Sequence, residues 1–545
     1  MESGLSEATI RMTPGGETPA RATRISLRLL QLGVVAVVLA AATQKEFELD
    51  RFFVPKELTL HLTAFLAGIA AISAFRRVAF TRIDALLTAY LLLGVVSAFI
   101  ATNGWLAARA LAVSVAGIAV FWVARALRDA GLARPLLRTI AIGVVLGAAL
   151  ALVQAYGVST EFFSEARAPG GTLGNRNFVA HMAAFGLPVV LLSALRAWRG
   201  AGFALGALGA MLVIVSLVLT RSRAGWIAFA AVMLVFLFAM LASRPLRRHA
   251  RTWFRLSAIV ILMVGGVAAA VLIPNALRWR SDNPYIESVR GVANYQEGSG
   301  QGRLIQYRRS MGMLGKNPLL GAGPGNWAVE YPGHAAPGDP SMSGAQPGTT
   351  SNPWPSSDWV AFLSERGAPG ALVLGLALLG LAAAGVRRLI DARDDDEALV
   401  AATLFATVVA VLVAGLLDAV LLLALPTMLV WAALGALWSP AERSPDSPAS
   451  TFNVIALIAV TLLSGAGAMR GAGQLAAMTI YANQPTTGGL DRAARLDPGN
   501  YRLHLRIAQR SQGANRDRRC RHARAAQALY PSARAARDLT RGCGG

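Results

Sequence analysis

About thirteen long apolar segments run from Leu27 to Met469, and one polar stretch, Pro274–Ser357, interrupts them. Phe203–Thr220, Gly225–Leu241, Leu256–Ile273 and Leu399–Leu417 are typical: nearly uncharged and about 17–25 residues long, the length that crosses a ~30 Å hydrocarbon core as a helix. A soluble fold has no core large enough to bury so many such runs. The pattern predicts an all-α polytopic membrane protein of about 13 transmembrane helices. One long loop at 274–357 lies on a single membrane face, and a short soluble helical tail follows. The expected divisions are an N-terminal tail at 1–26, a membrane domain at 27–438, a linker at 439–451, an additional span at 452–470 and a tail module at 484–545.

Composition agrees: 54% of the residues are hydrophobic and only 15% charged. The formal net charge of +22 invites a nucleic-acid reading, but the placement of the arginines opposes it. They gather in alternate short loops: Arg76, Arg77 and Arg82; Arg125, Arg128, Arg134 and Arg138; Arg196 and Arg199; Arg244, Arg247, Arg248 and Arg251; Arg387, Arg388 and Arg393. That is the positive-inside distribution, so membrane lipids and not nucleic acid are the expected partner. Arg21, Arg24 and Arg28 precede the first span, which places the N-terminus in the cytoplasm. This charge-flanked start predicts an uncleaved anchor, not a signal peptide. Counting spans then puts Thr43–Glu57, Thr102–Gly104, Gly157–Asn175, Thr220–Arg223, the long loop and Asp418 outside. The Pro/Ser-rich linker Ser439–Ser450 returns to the cytoplasm, and a thirteenth span, Phe452–Met469, carries the tail outside.

Arg221 and Arg223, in Leu219-Thr-Arg-Ser-Arg-Ala-Gly-Trp226, break the charge pattern, standing at an outer boundary with no carboxylate near in sequence. Arginines there either snorkel to headgroups or hold a phosphate in their guanidinium forks. Gly170-Gly-Thr-Leu-Gly-Asn-Arg-Asn-Phe-Val-Ala-His181 is a Gly/Asn turn entering a helix. Asn175, Arg176 and Asn177 sit near the same surface, as helix caps or as ligands for sugar hydroxyls. The loop carries an amphipathic run from Arg303 to Leu314 and then the turn Asn317-Pro-Leu-Leu-Gly-Ala-Gly-Pro-Gly-Asn-Trp327. Its Gly-x-Gly run is not a dinucleotide fingerprint, because Pro324 interrupts it and no strand precedes it. Pro353-Trp-Pro-Ser-Ser-Asp-Trp-Val-Ala-Phe-Leu-Ser-Glu-Arg-Gly-Ala-Pro-Gly370 leads into the next span. Trp354 and Trp359 are either belt residues or platforms for sugar rings.

The order of these four motifs over about residues 30–440 resembles the O-antigen ligase/polymerase superfamily of bacterial envelope glycosyltransferases. The resemblance implies metal-independent, cofactor-free transfer of a glycan from an undecaprenyl-pyrophosphate carrier, at the periplasmic face of the inner membrane. The acceptor would be a glycan, a lipid A-core sugar or a protein hydroxyl. Arg221, Arg223 and Arg303 are expected to converge on one anion site for the pyrophosphate. Asp358 and His334 are the candidate bases, and Asn175, Arg176, Asn177, Trp327, Trp359 and Glu365 the candidate substrate contacts. Ligases of this family place a histidine followed by Asn before the Asp-Trp position; Ser356-Ser357 fill those slots here. A polymerase of the same superfamily, a transporter or flippase, and a noncatalytic scaffold stay open. The transporter reading expects ionisable groups at mid-depth, and the spans look nearly free of acids there.

From about Gln484 the chain turns Ala/Arg-rich. Ala-Ala-Arg-Leu-Asp-Pro498 and Ala-Gln-Ala-Leu-Tyr-Pro531 repeat after 33 residues, close to the tetratricopeptide period, so the tail resembles a short tetratricopeptide array. The only cysteines, Cys520 and Cys543, fall in this tail. Helices turning at Tyr530-Pro531 bring them together, and a bridge closing the loop of about 24 residues contributes roughly 3 kcal/mol in the chain-entropy model.

Overall fold

The computed structural model describes residues 20–47, 49–75, 78–279, 281–291, 298–439, 451–511 and 515–543. Residues 1–19 of the expected N-terminal tail and 440–450 of the expected linker lie outside the described residues. Helices α1 (Arg21–Leu39), α2 (Asp50–Phe75), α3 (Arg82–Ala98), α4 (Gly104–Asp129), α5 (Ala133–Ala155), α6 (Arg176–Leu195), α7 (Gly200–Thr220) and α8 (Arg223–Ala242) run back and forth across the apolar body. A short α9 (Arg244–Arg248) precedes α10 (Ala250–Leu272). The long loop holds α11 (Pro284–Arg290), α12 (Gly298–Lys316) and α13 (Trp327–Glu330). After it come α14 (Asp358–Ile390), α15 (Asp395–Leu417), α16 (Ala424–Leu437) and α17 (Thr451–Asn483). The tail consists of α18 (Thr487–Leu496), α19 (Tyr501–Arg510), α20 (Arg516–Leu529) and α21 (Arg534–Arg541). The protein is an all-α polytopic membrane protein.

Among the described residues, eleven helices are long and apolar enough to cross a membrane. Two further expected spans form shorter apolar helices, α3 with 17 residues and α16 with 14. A capping box at Thr81 and Asp84 sets where α3 starts. The apolar run before α16 is diverted into a loop at 418–423, so only its second half is helical. The span expected at Phe452–Met469 instead continues unbroken to Asn483 as the 33-residue α17. Arg470 does not stop it, because its guanidinium pairs with Glu57 at 2.9 Å.

The spans are also less free of charge than their composition promised. Glu57 of α2 pairs with Arg109 of α4 at 2.8 Å as well as with Arg470, and Asp50 takes Arg109 at 3.0 Å. Arg125 of α4 pairs with buried Asp84 at the other end of the bundle. Each acid in these sets has a cationic partner, which is what lowers the cost of ions inside an apolar body.

One end of the bundle, the loop face, carries the long loop and the tail together. Met313, Trp327, Ala328 and Tyr331 form a small core within the loop. The tail closes onto it: Tyr530 donates to the Ala328 carbonyl and accepts from the Thr350 N–H at 3.3 Å, and burial pushes its phenol up to about 12. Asn103 Nδ2 donates to the Gly499 carbonyl at 3.1 Å, and Trp105 Nε1 to Asp497 at 2.8 Å. Val54, Met478, Tyr481, Leu490, Leu503 and Ile507 join α2, α17 and the tail in a second apolar core. Cys520 and Cys543 are joined by a disulfide, with Cα atoms 5.6 Å apart, and lock α20 to the end of α21.

Candidate functional site

Two of the sequence motifs interlock as a scaffold. The turn at 317–327 lies against the start of α14: Ala322 N–H donates to the Ser364 carbonyl at 2.9 Å, and Gly323 N–H to the Glu365 carbonyl at 2.8 Å. Gly321, at φ 66°, and Gly367, at φ 72°, make the approach possible. A Cβ on Gly321 would stand 2.4 Å from the Glu365 carbonyl carbon, and one on Gly367 2.3 Å from the Leu319 oxygen. The Glu365 carboxylate then accepts from the Gly325 N–H at 2.8 Å and the Trp327 N–H at 3.1 Å.

Asp358 does the same for the neighbouring loop. It is wholly buried, and its two oxygens accept from the Val420 and Leu421 N–H groups at 2.9 and 2.8 Å. These two bonds tie the 418–423 loop to the start of α14. Glu365 likewise holds a turn, although its side chain also borders a cavity. Trp327 is fully buried in the loop core, with Nε1 on Ser310 at 2.8 Å and its ring on Tyr331, so it offers no face to a sugar. Trp359 packs on α15 through Nε1 to the Leu412 carbonyl at 3.2 Å. Asn175 is buried and caps α6, accepting from the Asn177 N–H at 3.0 Å. His334 turns Nδ1 toward the Glu330 carbonyl at 3.2 Å and lies against Gly312, within the loop subdomain.

A different set of polar groups meets where α6, α12 and the end of α15 converge. Asp418, just past α15, accepts from the Asn177 side chain at 3.2 Å and from the Ala419 N–H at 2.9 Å. His181, fully buried two turns into α6, has Nε2 3.6 Å from Asp418 Oδ2, and neither ring nitrogen has a hydrogen-bond partner. Arg303 of α12 stands near enough to act on the His181 charge. One turn on, Gln306 Oε1 accepts from the Ser356 N–H at 2.7 Å, and the Tyr307 hydroxyl donates to the Ser356 carbonyl. The Tyr307 hydroxyl also lies 3.1 Å from the Leu416 carbonyl, so α12 brings the Ser356 slot and the end of α15 together. Neither Asp418 nor His181 is among the site residues expected from the sequence. Their signal is a lone acid at the end of an apolar run and a lone histidine inside another.

Beside this set lies an arginine group. Arg176 and Arg221 stack on Trp279, with guanidinium carbons 5.0 and 4.8 Å from the ring. Arg221 is the only non-glycine with positive φ among the described residues, at 54°, a conformation that costs an L-residue about 1 kcal/mol or more. Its Nε donates to Ser288 at 2.8 Å, and Glu287 lies 3.9 Å away. Burial draws its guanidinium below the usual range, with Glu287 acting the other way. Arg223 reaches the Gly291 carbonyl. So α11 and its C-cap tie down two arginines of the expected trio, Arg221 and Arg223, while the third, Arg303, lies on α12 within electrostatic reach of His181. Among the described residues, no group of three or more His, Cys, Asp or Glu side chains is placed to hold a metal ion.

A cavity of about 190 Å³ lies on the other side of the 418–424 segment, between α2, α4, the start of α14, the loop and the tail. Phe53, which touches both Phe178 and Trp354, stands between it and α6.

Residues 208–375 match the family model described as O-antigen ligase. The match runs from α7 through the long loop into α14 and so contains Arg221, Arg223 and Arg303, but neither His181 nor Asp418. No curated protein matches the chain.

Proposed function

We propose that the protein transfers a glycan from an undecaprenyl-pyrophosphate carrier to a hydroxyl acceptor at the periplasmic face of a bacterial inner membrane, in the manner of an O-antigen ligase. The observation that carries this is the convergence of Arg303, from the segment matching that family, with Asn177, His181 and Asp418 on the loop face. In this reading the acceptor oxygen attacks the anomeric carbon as the bond to the pyrophosphate breaks. Arg303, with Arg176 and Arg221 on the flank, meets the charge developing on the leaving group. The acceptor proton passes to Asp418, which Asn177 orients and whose charge His181 shares from behind. Asp418 replaces Asp358 and His334 as the proposed base, because both donors on Asp358 are peptide N–H groups of the loop it closes, whereas Asp418 is approached by the side chains of Asn177 and His181, and His334 lies within the long loop. The tail, two helical pairs with the repeated segments ending α18 and α20, is proposed as a tetratricopeptide-like module that closes the loop face.

The pairing of acids with arginines in the spans favours this enzyme over a transporter, since paired structural ions are not poised to bind and release cargo. The experiment is the lipid-linked glycan profile of cells lacking the protein, complemented with wild type or Asp418→Asn. Accumulated polymer on the carrier identifies a ligase, and single repeat units identify a polymerase. Asp418→Asn should reproduce the deletion profile with unchanged protein level. An unaltered profile in the deletion strain would overturn the transfer reading.

A further inference from the structure

The cavity under the tail has walls of two kinds. Trp105, Trp354, Tyr501 and Tyr530 give it aromatic surface, and around them stand four carboxylates and three arginines. The carboxylates are all engaged. Asp50 and Glu57 hold Arg109, and Glu365 holds two backbone N–H groups. Asp497 accepts from Trp105 Nε1 at 2.8 Å and from Asn500 Nδ2 at 2.9 Å.

Arg366 is the exception. It is 2% exposed and borders the cavity. Its Nη2 donates to Ser114 at 2.7 Å, yet among the described residues Nε and Nη1 have no hydrogen-bond partner and no carboxylate pairs with it. The rings of Tyr90 and Phe362, 4.6 and 5.8 Å from the guanidinium carbon, offset only part of the cost of burying a charge. A buried fork with unused N–H groups beside a cavity is suited to a planar or phosphate anion. Aromatic faces around it suit the apolar faces of a pyranose ring.

We infer that this cavity binds a sugar unit bearing a carboxylate or phosphate, with the anionic group on Arg366. The inference rests on the glycan-transfer reading for its biological sense. The 421–424 segment that lines the cavity continues directly from Asp418, which places an acidic unit of the acceptor glycan next to the transfer site. The tail supplies Asn500, Tyr501 and Tyr530 to the wall, so the site is complete only when the tail is docked.

The test is binding to the full-length protein in detergent, with tri-galacturonate against maltotriose, followed by calorimetry and tryptophan fluorescence. Tri-galacturonate should bind at least about tenfold more tightly. Arg366→Gln should weaken it by about tenfold or more, leaving maltotriose unchanged, and Arg366→Lys, which keeps the charge but not the fork, should also weaken it. The lysine variant keeps the test decisive if the glutamine variant fails to fold. Arg534→Ala, an exposed tail arginine outside the cavity, should change nothing. Equal affinity for the two trisaccharides, no binding of either, wild-type binding in both Arg366 variants, or binding confined to vesicles of anionic lipid would overturn the inference. Arg303→Ala should lose transfer yet keep tri-galacturonate binding, so a failure of the transfer reading is separable from a failure of this site.

Discussion

Two places on the loop face hold carboxylates near helix ends, and they use them in opposite ways. At the start of α14, Asp358 and Glu365 each receive two backbone N–H groups. Just past α15, Asp418 receives one backbone N–H and one side-chain amide, with an imidazole 3.6 Å away and an arginine near it. A carboxylate whose donors are all peptide N–H groups fixes a chain path. One met by side chains of another helix, here Asn177 and His181 of α6, has its geometry set by tertiary packing. The difference cautions that proximity of an acid to a recognisable motif is weak evidence for chemistry: Asp358 and Glu365 lie within such a motif, and both accept backbone N–H groups of neighbouring loops.

The largest expected effect separates the arginines. Arg303→Ala should lower glycan transfer by about a hundredfold or more, the size seen when a donor to developing charge is removed, with little change in thermal unfolding. Arg223→Ala, whose guanidinium holds the Gly291 carbonyl, should act mainly by loosening α11. Equal losses from both, without destabilisation, would return Arg223 to the anion site.

Next come the clamps. Asp358→Ala or Glu365→Ala leaves two N–H groups without a partner, at a cost of about 2–3 kcal/mol in stability. A fall in the melting temperature of the detergent-solubilised protein should accompany any loss of activity. Loss of transfer with unchanged melting would make either residue catalytic and erase the contrast with Asp418.

A smaller effect concerns pH. Burial lowers the His504 and His522 imidazoles of the tail from their ordinary value, and each faces the other across 2.9 Å. A histidine lowered on folding is most stabilising when neutral. Tail docking should therefore be full above about pH 6.5 and weaken as pH falls below it. Protease sensitivity at 484–543 measured across that range checks the sign, and greater protection in acid would reverse it. The smallest expected effect is His334→Ala, which should leave transfer within about twofold because the ring sits within the loop subdomain. A large loss would restore it as a base.

Much of the architecture was legible in the chain. Runs of about 17–25 uncharged residues dictate helices across an apolar layer, and the interrupting polar stretch dictates a loop on one face. The arginines at Arg221 and Arg223 were visible as exceptions, but their partners were not, because α11 lies more than sixty residues away in sequence. The length of α16 was hidden for a similar reason: whether Ala419–Leu423 join the helix depends on Asp358 capturing the N–H groups at 420 and 421.

The amino-acid pattern by itself determined the class of fold, the segment that carries the loop and the residue types available to an anion, since hydrophobic length and local turn chemistry are properties of neighbouring residues. Only the tertiary structure decided which of those residues are engaged. Asp358 and Glu365 are satisfied by distant backbone, Asp418 meets Asn177 and His181 across helices, and Arg366 is left with unused N–H groups beside a cavity. Hydrogen-bond capacity is settled by whatever packing brings within about 3 Å, and no local pattern along the chain encodes that.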